Sequence, residues 1–212
     1  MTDEVERYLR SRKRNPKQKE FFNDKAGVWD EISVHDLGKL AYITDLLELS
    51  DGMEILDVGT GTGIMIPFYL DRMSGGRITA IDYSPAMIEI AKAKHPESER
   101  LSYRTMDLYD LDEQHVYDRV VCYSCFPHFP DPMKALKVLS RTLKPSGTLC
   151  IAHSSSKDHI NHVHECGGEE ISNDFLPDIR LMIEMFEEAG LETVFSRDDE
   201  EYYIIIGRPR GD

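Results

Sequence analysis

A glycine-rich turn followed by a distant carboxylate is the part of the sequence best suited to chemistry. Gly59, Gly61 and Gly63 stand at alternate positions after an apolar run, and glycines let the chain turn tightly and let a ligand lie against main chain. The dinucleotide fingerprint would need its third glycine at position 64, which is isoleucine, so pyrophosphate binding is disfavoured. Asp82 ends the next apolar run, where a carboxylate can accept hydrogen bonds from ribose hydroxyls. The pattern predicts a nucleoside cofactor without a phosphate.

Histidines are concentrated in the second half of the chain. They include His128, His153, His159, His162 and His164, with Cys166 close behind. Imidazoles at this density can coordinate a transition metal or take a proton from a substrate. We predict that His128, His153 and His164 face one acceptor cavity, where they either bind a metal or take a proton from the acceptor. A purely architectural role for His128 and a simple lining role for His153 stay open.

The four cysteines are too irregularly placed for a disulfide framework and are expected to be reduced. Cys122 and Cys125 form a C-x-x-C pair, but a zinc site would need a second such pair. Cys122 belongs to an apolar run and is predicted to be buried. Cys125 is expected nearer the rim of the pocket, where it could be a reactive thiol.

Short apolar runs alternate with amphipathic stretches from residue 54 onward, which indicates the elements that position these groups. Strands are predicted at 54–58, 77–82, 101–106, 117–123, 147–153, 191–196 and 202–208, and helices at 39–49, 64–73, 85–93, 132–143 and 178–189. Ser84 before Pro85 is a typical helix start. This repetition is typical of an α/β fold with a parallel sheet covered on both faces, and the last two strands are predicted to form an antiparallel hairpin.

Five motifs, in order, resemble those of class I S-adenosylmethionine-dependent methyltransferases. They occupy residues 55–63, 81–87, 106–108, 117–121 and 141–147. The chain is most similar to the small-molecule branch that includes the ubiquinone and menaquinone biosynthesis methyltransferases. The resemblance implies a Rossmann-like, seven-stranded, mostly parallel sheet with one antiparallel C-terminal strand and helices on both faces.

The same resemblance implies a site for S-adenosylmethionine. The backbone at Gly59 and Gly61 is expected to contact the methionine part of the cofactor, with Asp57 organising that end. Asp82 is expected to hold the ribose hydroxyls, and Tyr83 to pack on adenine.

The resemblance also implies which residues contact the adenine and the transferred methyl group. Asp107 is expected to accept a hydrogen bond from the adenine amino group, the Leu108 amide to address the ring, and the segment 122–124 to line the methyl. The predicted cofactor set is Asp57, Gly59, Thr60, Gly61, Gly63, Asp82, Tyr83, Met87, Asp107, Leu108 and Tyr123. The predicted catalytic set is His128, His153 and Tyr123.

Composition excludes several other classes of protein. The 212 residues carry 25 Lys+Arg and 39 Asp+Glu, a formal charge of −14, which argues against a nucleic-acid binder because such proteins need a dominant basic face. No apolar run approaches the roughly 20 residues of a membrane span, and no apolar signal core follows the first charges. A cytoplasmic protein is expected, and its oligomeric state stays open.

The chain is predicted to have two parts. Residues 1–38 form an N-terminal helical arm or lid that contains a basic segment from Arg7 to Lys19 of unassigned role, and residues 39–212 form the methyltransferase domain. The long connection 154–175 is predicted to be a second lid over the substrate. The predicted function is methyl transfer from S-adenosylmethionine to a small-molecule acceptor, with a histidine-lined or metal-binding pocket. The alternative is a non-catalytic S-adenosylmethionine-binding regulatory or interaction protein.

Overall fold

The computed structural model describes residues 1–211, which form one seven-stranded sheet surrounded by helices. The strands are β1 (Glu54–Val58), β2 (Arg77–Asp82), β3 (Leu101–Thr105), β4 (Tyr117–Tyr123), β5 (Leu143–His153), β6 (Leu191–Asp198) and β7 (Tyr203–Pro209). The α-helices are α1 (Asp3–Ser11), α2 (Gln18–Lys25), α3 (Trp29–Ile32), α4 (Leu37–Asp45), α5 (Ile66–Arg72), α6 (Pro85–Lys94), α7 (Pro132–Thr142), α8 (Lys157–Cys166) and α9 (Ile179–Glu188). Within these residues no helix is both long and apolar enough to cross a membrane.

The strand order is β3-β2-β1-β4-β5-β7-β6. Strands β1 to β5 pair in parallel, and β7 runs antiparallel to both β5 and β6. The predicted α/β, Rossmann-like sheet with one antiparallel C-terminal strand is therefore confirmed. The order reverses next to β1, and in such sheets the crevice at that point, beyond the carboxyl ends of the strands, is where ligands bind.

The sequence sets the helix starts through their caps. Ser84 Oγ accepts a hydrogen bond from the Met87 amide, with Pro85 at the first helical position of α6, as predicted. Asp131 caps α7 in the same way, ahead of Pro132. Helix α5 begins two residues later than predicted because the turn after β1 continues through position 65.

Alternate residues of the strands fill two apolar layers, one on each face of the sheet. Val120 packs with Leu136 of α7 and Phe186 of α9 on one face, whereas Val121 packs with Ile43 of α4 on the other. Each side chain of this kind contributes about 1.5 to 3 kcal/mol when buried. The sheet is therefore covered on both faces and presents its strand ends as a rigid edge.

The N-terminal region folds back over that edge. Helix α1 packs against α9, and α2 packs against α6. The Tyr8 hydroxyl donates to the Phe175 carbonyl over 3.0 Å, and the Arg12 guanidinium donates to the carbonyls of Asn173 and Pro127. The basic segment left unassigned by the sequence thus lies against the connection that follows α8.

Candidate active site

A cavity of about 610 Å³ lies at the carboxyl ends of β1, β2, β3 and β4. Its floor is made by the glycine-rich turn and the strand ends, and its roof by residues 14–35 of the N-terminal region. This volume lies within the range of small-molecule and cofactor sites, about 300 to 1,000 Å³. The cavity therefore stands where the topology places a ligand.

The glycine-rich turn after β1 uses a left-handed backbone at each of its glycines. The φ angles are +64° at Gly59, +54° at Gly61 and +85° at Gly63, a region that side chains disfavour. A Cβ at Gly59 would lie 2.7 Å from Cys125 Cβ, whereas a Cβ at Gly61 would meet only Trp29 Nε1, at 4.0 Å. Main chain at Gly61 is therefore open to a ligand, and Gly59 is held close to the segment after β4.

Asp57 supports this turn from below and does not line the cavity. Its carboxylate accepts hydrogen bonds from Thr60 Oγ1 at 2.6 Å and from the Tyr69 hydroxyl at 3.1 Å. Burial raises the pKa of Asp57 to about 6, because water no longer solvates the charge. Gly63 is also outside the lining, since it faces Ile66 of α5. Both residues hold the shape of the turn.

Asp82, at the end of β2, places a nearly buried carboxylate in the cavity wall. Oδ2 accepts a hydrogen bond from the Gly61 amide at 2.9 Å, and Oδ1 accepts one from the Ser84 amide at 2.8 Å. Burial raises the pKa of Asp82 to about 6, although the two amide donors act in the opposite direction. Each oxygen retains acceptor capacity, so further hydroxyl donors in the cavity would stabilise the charge.

The wall beyond Asp82 carries the residues predicted for the nucleoside. Tyr83, Met87, Asp107 and Leu108 all line the cavity. The Asp107 carboxylate forms an ion pair with Arg14 of the N-terminal region, Nη2 to Oδ2 at 2.6 Å. The predicted adenine-binding carboxylate is therefore shared with a side chain that the sequence did not implicate.

The opposite wall is formed where β4 ends. The Tyr123 hydroxyl lies 2.7 Å from His35 Nδ1 and 2.7 Å from Ser154 Oγ, and His35 Nε2 lies 3.1 Å from Ser33 Oγ. Burial raises the pKa of Tyr123 to about 12 and lowers the pKa of His35. At neutral pH the tyrosine is a neutral phenol, which can donate a hydrogen bond but cannot act as a base.

The three histidines predicted to share the cavity are distributed differently. His128 lines it, whereas His153 and His164 do not. The His128 and His164 rings pack 4.9 Å apart. His128 Nδ1 donates to Asp174 Oδ2 at 2.8 Å, and His164 Nδ1 donates to the Asp174 carbonyl.

His153 is fully enclosed at the end of β5, and its Nε2 has no hydrogen-bond partner among the described residues. Burial lowers the pKa of His153 to about 3 and that of His164 to about 4. Within residues 1–211 no group of three or more His, Cys, Asp or Glu side chains is arranged to hold a metal ion. The prediction of a metal site on His128, His153 and His164 gains no support, because of the three only His128 lines the cavity and His153 is enclosed.

The cysteines behave in part as expected. Cys122 is buried within β4, as predicted. Cys125 lines the cavity, but its thiol donates to the Val58 carbonyl at 3.1 Å. Burial raises the pKa of the Cys125 thiol well above its usual range, so it is not the reactive thiolate that its position suggested.

Comparison with known proteins finds a matching family model and similar relatives. Residues 56–151 match a protein-family model described as "Methyltransferase domain". The chain is 35% identical over 112 residues to a malonyl-[acyl-carrier protein] O-methyltransferase of Acetivibrio thermocellus, covering 52% of this chain and 39% of the relative. It is 32% identical over 117 residues to a ubiquinone biosynthesis O-methyltransferase of Xanthomonas oryzae pv. oryzae, covering 54% and 48%.

A solved structure shows the same fold. A SAM-dependent methyltransferase from Aquifex aeolicus superposes with a TM-score of 0.67 at 19% identity, over 87% of this chain and 97% of that one. Residues 56–151 are thus similar to the methyltransferase domain, and the chain has the Rossmann-like fold of the S-adenosylmethionine-dependent methyltransferases. The aligned segment spans less than half the length of the two curated relatives.

The methyltransferase fold brings most of the predicted residues to one cavity. Those that line it are Gly59, Thr60, Gly61, Asp82, Tyr83, Met87, Asp107, Leu108, Tyr123 and His128. Sequence reasoning predicted residues 1–38 as a lid but did not single out Arg14, Trp29 or His35 in the roof, and it missed Asp174 behind His128. The basic segment was a visible signal for Arg14, whereas Asp174 is one carboxylate in an acidic chain and carries no local motif.

Proposed function

We propose that the chain binds S-adenosylmethionine in this cavity and transfers its methyl group to a small-molecule acceptor bound beside it. The observation that carries the proposal is that one cavity contains both the Asp82 carboxylate, bound to the Gly61 amide, and the His128 ring. The Asp82 carboxylate and the Gly61 amide suit a nucleoside with an amino-acid tail. The His128 ring can take a proton from an acceptor.

The lining residues fit the cofactor part by part. Asp82 would accept hydrogen bonds from the ribose hydroxyls, and the open main chain at Gly61 would lie against the methionine portion. Tyr83 and Met87 supply apolar surface for adenine, and the Leu108 amide and Asp107 supply hydrogen-bonding groups for its edge. When bound, S-adenosylmethionine supplies an electrophilic methyl group on a positively charged sulfur.

The charges of the cavity agree with that cation. Asp82 and Asp57 are buried carboxylates whose raised pKa values reflect missing solvation, and a nearby positive charge would lower both values. Binding of a sulfonium would therefore be favoured by the same carboxylates that destabilise the ligand-free protein.

His128 and Tyr123 are the residues we assign to the acceptor. Methyl transfer is an in-line displacement, so the protein must align a nucleophile and remove any proton that it carries. His128 would accept that proton, and Tyr123, a neutral phenol held by His35 and Ser154, would orient the acceptor by donating a hydrogen bond. His153 is enclosed and is not assigned a chemical step.

We propose that residues 1–38 and 154–175 act as lids. Residues of the first segment roof the cavity, and the second is tied to it, since Asn15 Nδ2 donates to the carbonyls of Glu169 and Glu170 at 2.8 and 3.1 Å. A roofed cavity of this size favours a small molecule over a folded macromolecule. The names of the two curated relatives favour an oxygen atom as the site of methylation.

Two assays on the purified chain test the proposal. Calorimetry with S-adenosylhomocysteine measures cofactor binding, and transfer of a radiolabelled methyl group is then screened over phenols, carboxylic acids and thiols. We expect methyl transfer to at least one compound of this panel, and we expect His128→Gln to lose that transfer. Binding without turnover on the whole panel would favour the alternative, a non-catalytic S-adenosylmethionine-binding protein, and no binding would contradict both.

A further inference from the structure

A single buried carboxylate joins three separate segments next to the cavity. Asp174, which follows α8, is only 4% exposed. Its oxygens receive Gln18 Nε2 at 2.7 Å, His128 Nδ1 at 2.8 Å and Arg12 Nη2 at 3.4 Å. Two of these donors come from the N-terminal region and one from the segment after β4. Three donors on one carboxylate fix its position far more firmly than one would.

The His128 ring is held on several sides. Phe22 and His164 each pack with their ring centroids 4.9 Å from that of His128. The Nδ1 edge faces Asp174, and the ring lines the cavity. Within residues 1–211 no group forms a hydrogen bond with Nε2. This nitrogen is therefore the one available to a molecule in the cavity.

The partner of Nδ1 decides what Nε2 can do. A neutral imidazole carries its proton on one nitrogen only, and the hydrogen bond made by the other nitrogen selects which one. A carboxylate can only accept, so Asp174 selects the tautomer with hydrogen on Nδ1 and a lone pair on Nε2. The same carboxylate also stabilises the imidazolium that forms when Nε2 takes up a proton.

We propose that Asp174 is the positioning residue that makes His128 a base for hydroxyl-bearing acceptors, an inference that rests on the proposed methyl transfer. His128 Nε2 takes the proton of the acceptor O–H group. The oxygen electron pair forms the new bond to the methyl carbon, the carbon–sulfur bond breaks, and its electrons stay on sulfur in S-adenosylhomocysteine. The proton on His128 then passes to water after product release.

This arrangement links the base to closure of the two lids. Arg12 and Gln18 belong to the N-terminal region, whereas Asp174 belongs to the connection after α8. The carboxylate reaches its three donors together only when both segments lie over the cavity. The oriented base is therefore complete in the closed protein and incomplete if either segment moves away.

Long-range ¹H–¹⁵N NMR of the intact protein tests the orientation without any acceptor. The His128 ring signals, assigned by their loss in His128→Gln, are expected to show hydrogen on Nδ1 and a free Nε2 at pH 8. In Asp174→Asn the amide can donate to Nδ1, so the proton is expected to move to Nε2. A wild-type ring protonated on Nε2 would overturn the proposal, and this result does not depend on whether Asp174→Asn folds.

Kinetics supply the second test, with any acceptor found in the methyl-transfer screen. Asp174→Asn is expected to lower kcat by about 10²-fold or more while the KM for S-adenosylmethionine changes little, because Asp174 does not line the cofactor cavity. Asp178→Asn, which affects an exposed carboxylate paired with Lys157, is the matched control and should retain wild-type kcat. A folded Asp174→Asn protein with wild-type kcat would overturn the proposal. If wild type transfers no methyl group, the proposed function fails and the NMR result alone decides the orientation.

Discussion

Arg14 and Asp107 form an ion pair across the adenine end of the cavity, with Nη2 and Oδ2 2.6 Å apart. Arg14 belongs to the N-terminal region, and Asp107 follows β3. The Arg14 side chain is two-thirds exposed, whereas that of Asp107 is about one-quarter exposed. The pair therefore connects the roof of the cavity to the wall that we assign to adenine.

Removal of Arg14 and removal of Asp107 are expected to have unequal effects. An exposed ion pair contributes at most about 1 kcal/mol, so Arg14→Gln should change the Kd for S-adenosylhomocysteine by no more than about fivefold. Asp107→Ala removes a direct hydrogen-bond acceptor and should weaken binding by about 1 to 3 kcal/mol. Calorimetry compares the two, and a larger loss in Arg14→Gln would show that the roof, and not Asp107, holds the adenine.

Cofactor affinity is expected to depend on the ionisation of Asp82. Burial raises its pKa to about 6, and the ionised form is the one that we propose accepts hydrogen bonds from the two ribose hydroxyls. Protonation therefore competes with binding, and the Kd for S-adenosylhomocysteine should rise about tenfold between pH 8 and pH 5. Fluorescence or calorimetric titration across this range measures the change.

Asp82→Asn is the matched control for that titration. The variant should bind about 1 to 3 kcal/mol more weakly at pH 8 and should lose most of the pH dependence. We assign the pH dependence of binding that remains in this variant to Asp57, whose pKa is also raised to about 6 by burial. Identical pH profiles for the two proteins would remove Asp82 from the ribose site.

The order of elements was predictable because local signals agreed with the fold. Alternating apolar runs gave the bounds of β1, β2 and β4 as observed, and Ser84 with Pro85 marked the start of α6. Glycines at 59, 61 and 63 marked the turn after β1, where the backbone has positive φ, because glycine adopts such angles without steric cost.

The side of the cavity that we assign to the acceptor was less predictable, because it depends on contacts between distant segments. Asp174 lies 46 positions from His128 in sequence, and Tyr123 lies 88 positions from its partner His35. No periodicity or motif reports such pairings. The density of histidines predicted a metal site because the sequence cannot show which of them share a cavity. In the structure His153 is enclosed, whereas His128 lines the cavity.

Tyr123→Phe separates an acceptor role from a cofactor role. The hydroxyl contacts His35 and Ser154, so its removal should lower kcat by about tenfold, equivalent to about 1.4 kcal/mol, with the Kd for S-adenosylhomocysteine within about twofold of wild type. Tyr42→Phe, at a ring that packs on Tyr202 away from the cavity, is the control. A weakened Kd with unchanged kcat would assign Tyr123 to the cofactor alone.

His153 is expected to make the folded protein sensitive to acid. Its pKa falls from 6.5 to about 3 on folding, so at low pH the unfolded chain binds a proton that the folded chain refuses. The contribution of neutral His153 to the free energy of unfolding is complete above pH 6.5 and is lost as the pH falls below that value. From pH 8 to pH 5 this loss amounts to about 2 kcal/mol.

His153→Leu, which is similar in volume, should therefore lose less stability than wild type over the same pH range. Urea denaturation at pH 8 and pH 5 gives the four free energies of unfolding. His164, with a pKa of about 4, contributes equally to both proteins and cancels in the comparison. Equal losses in the two proteins would show that His153 becomes charged without unfolding.

Calorimetric titration of the wild-type chain with S-adenosylhomocysteine at pH 8, beside Asp82→Asn, tests most directly whether this cavity binds the cofactor. We expect one saturable site per chain in wild type and binding weaker by about 1 to 3 kcal/mol in the variant. Absence of binding to wild type, or equal affinity in both proteins, would contradict the assignment of this cavity to S-adenosylmethionine.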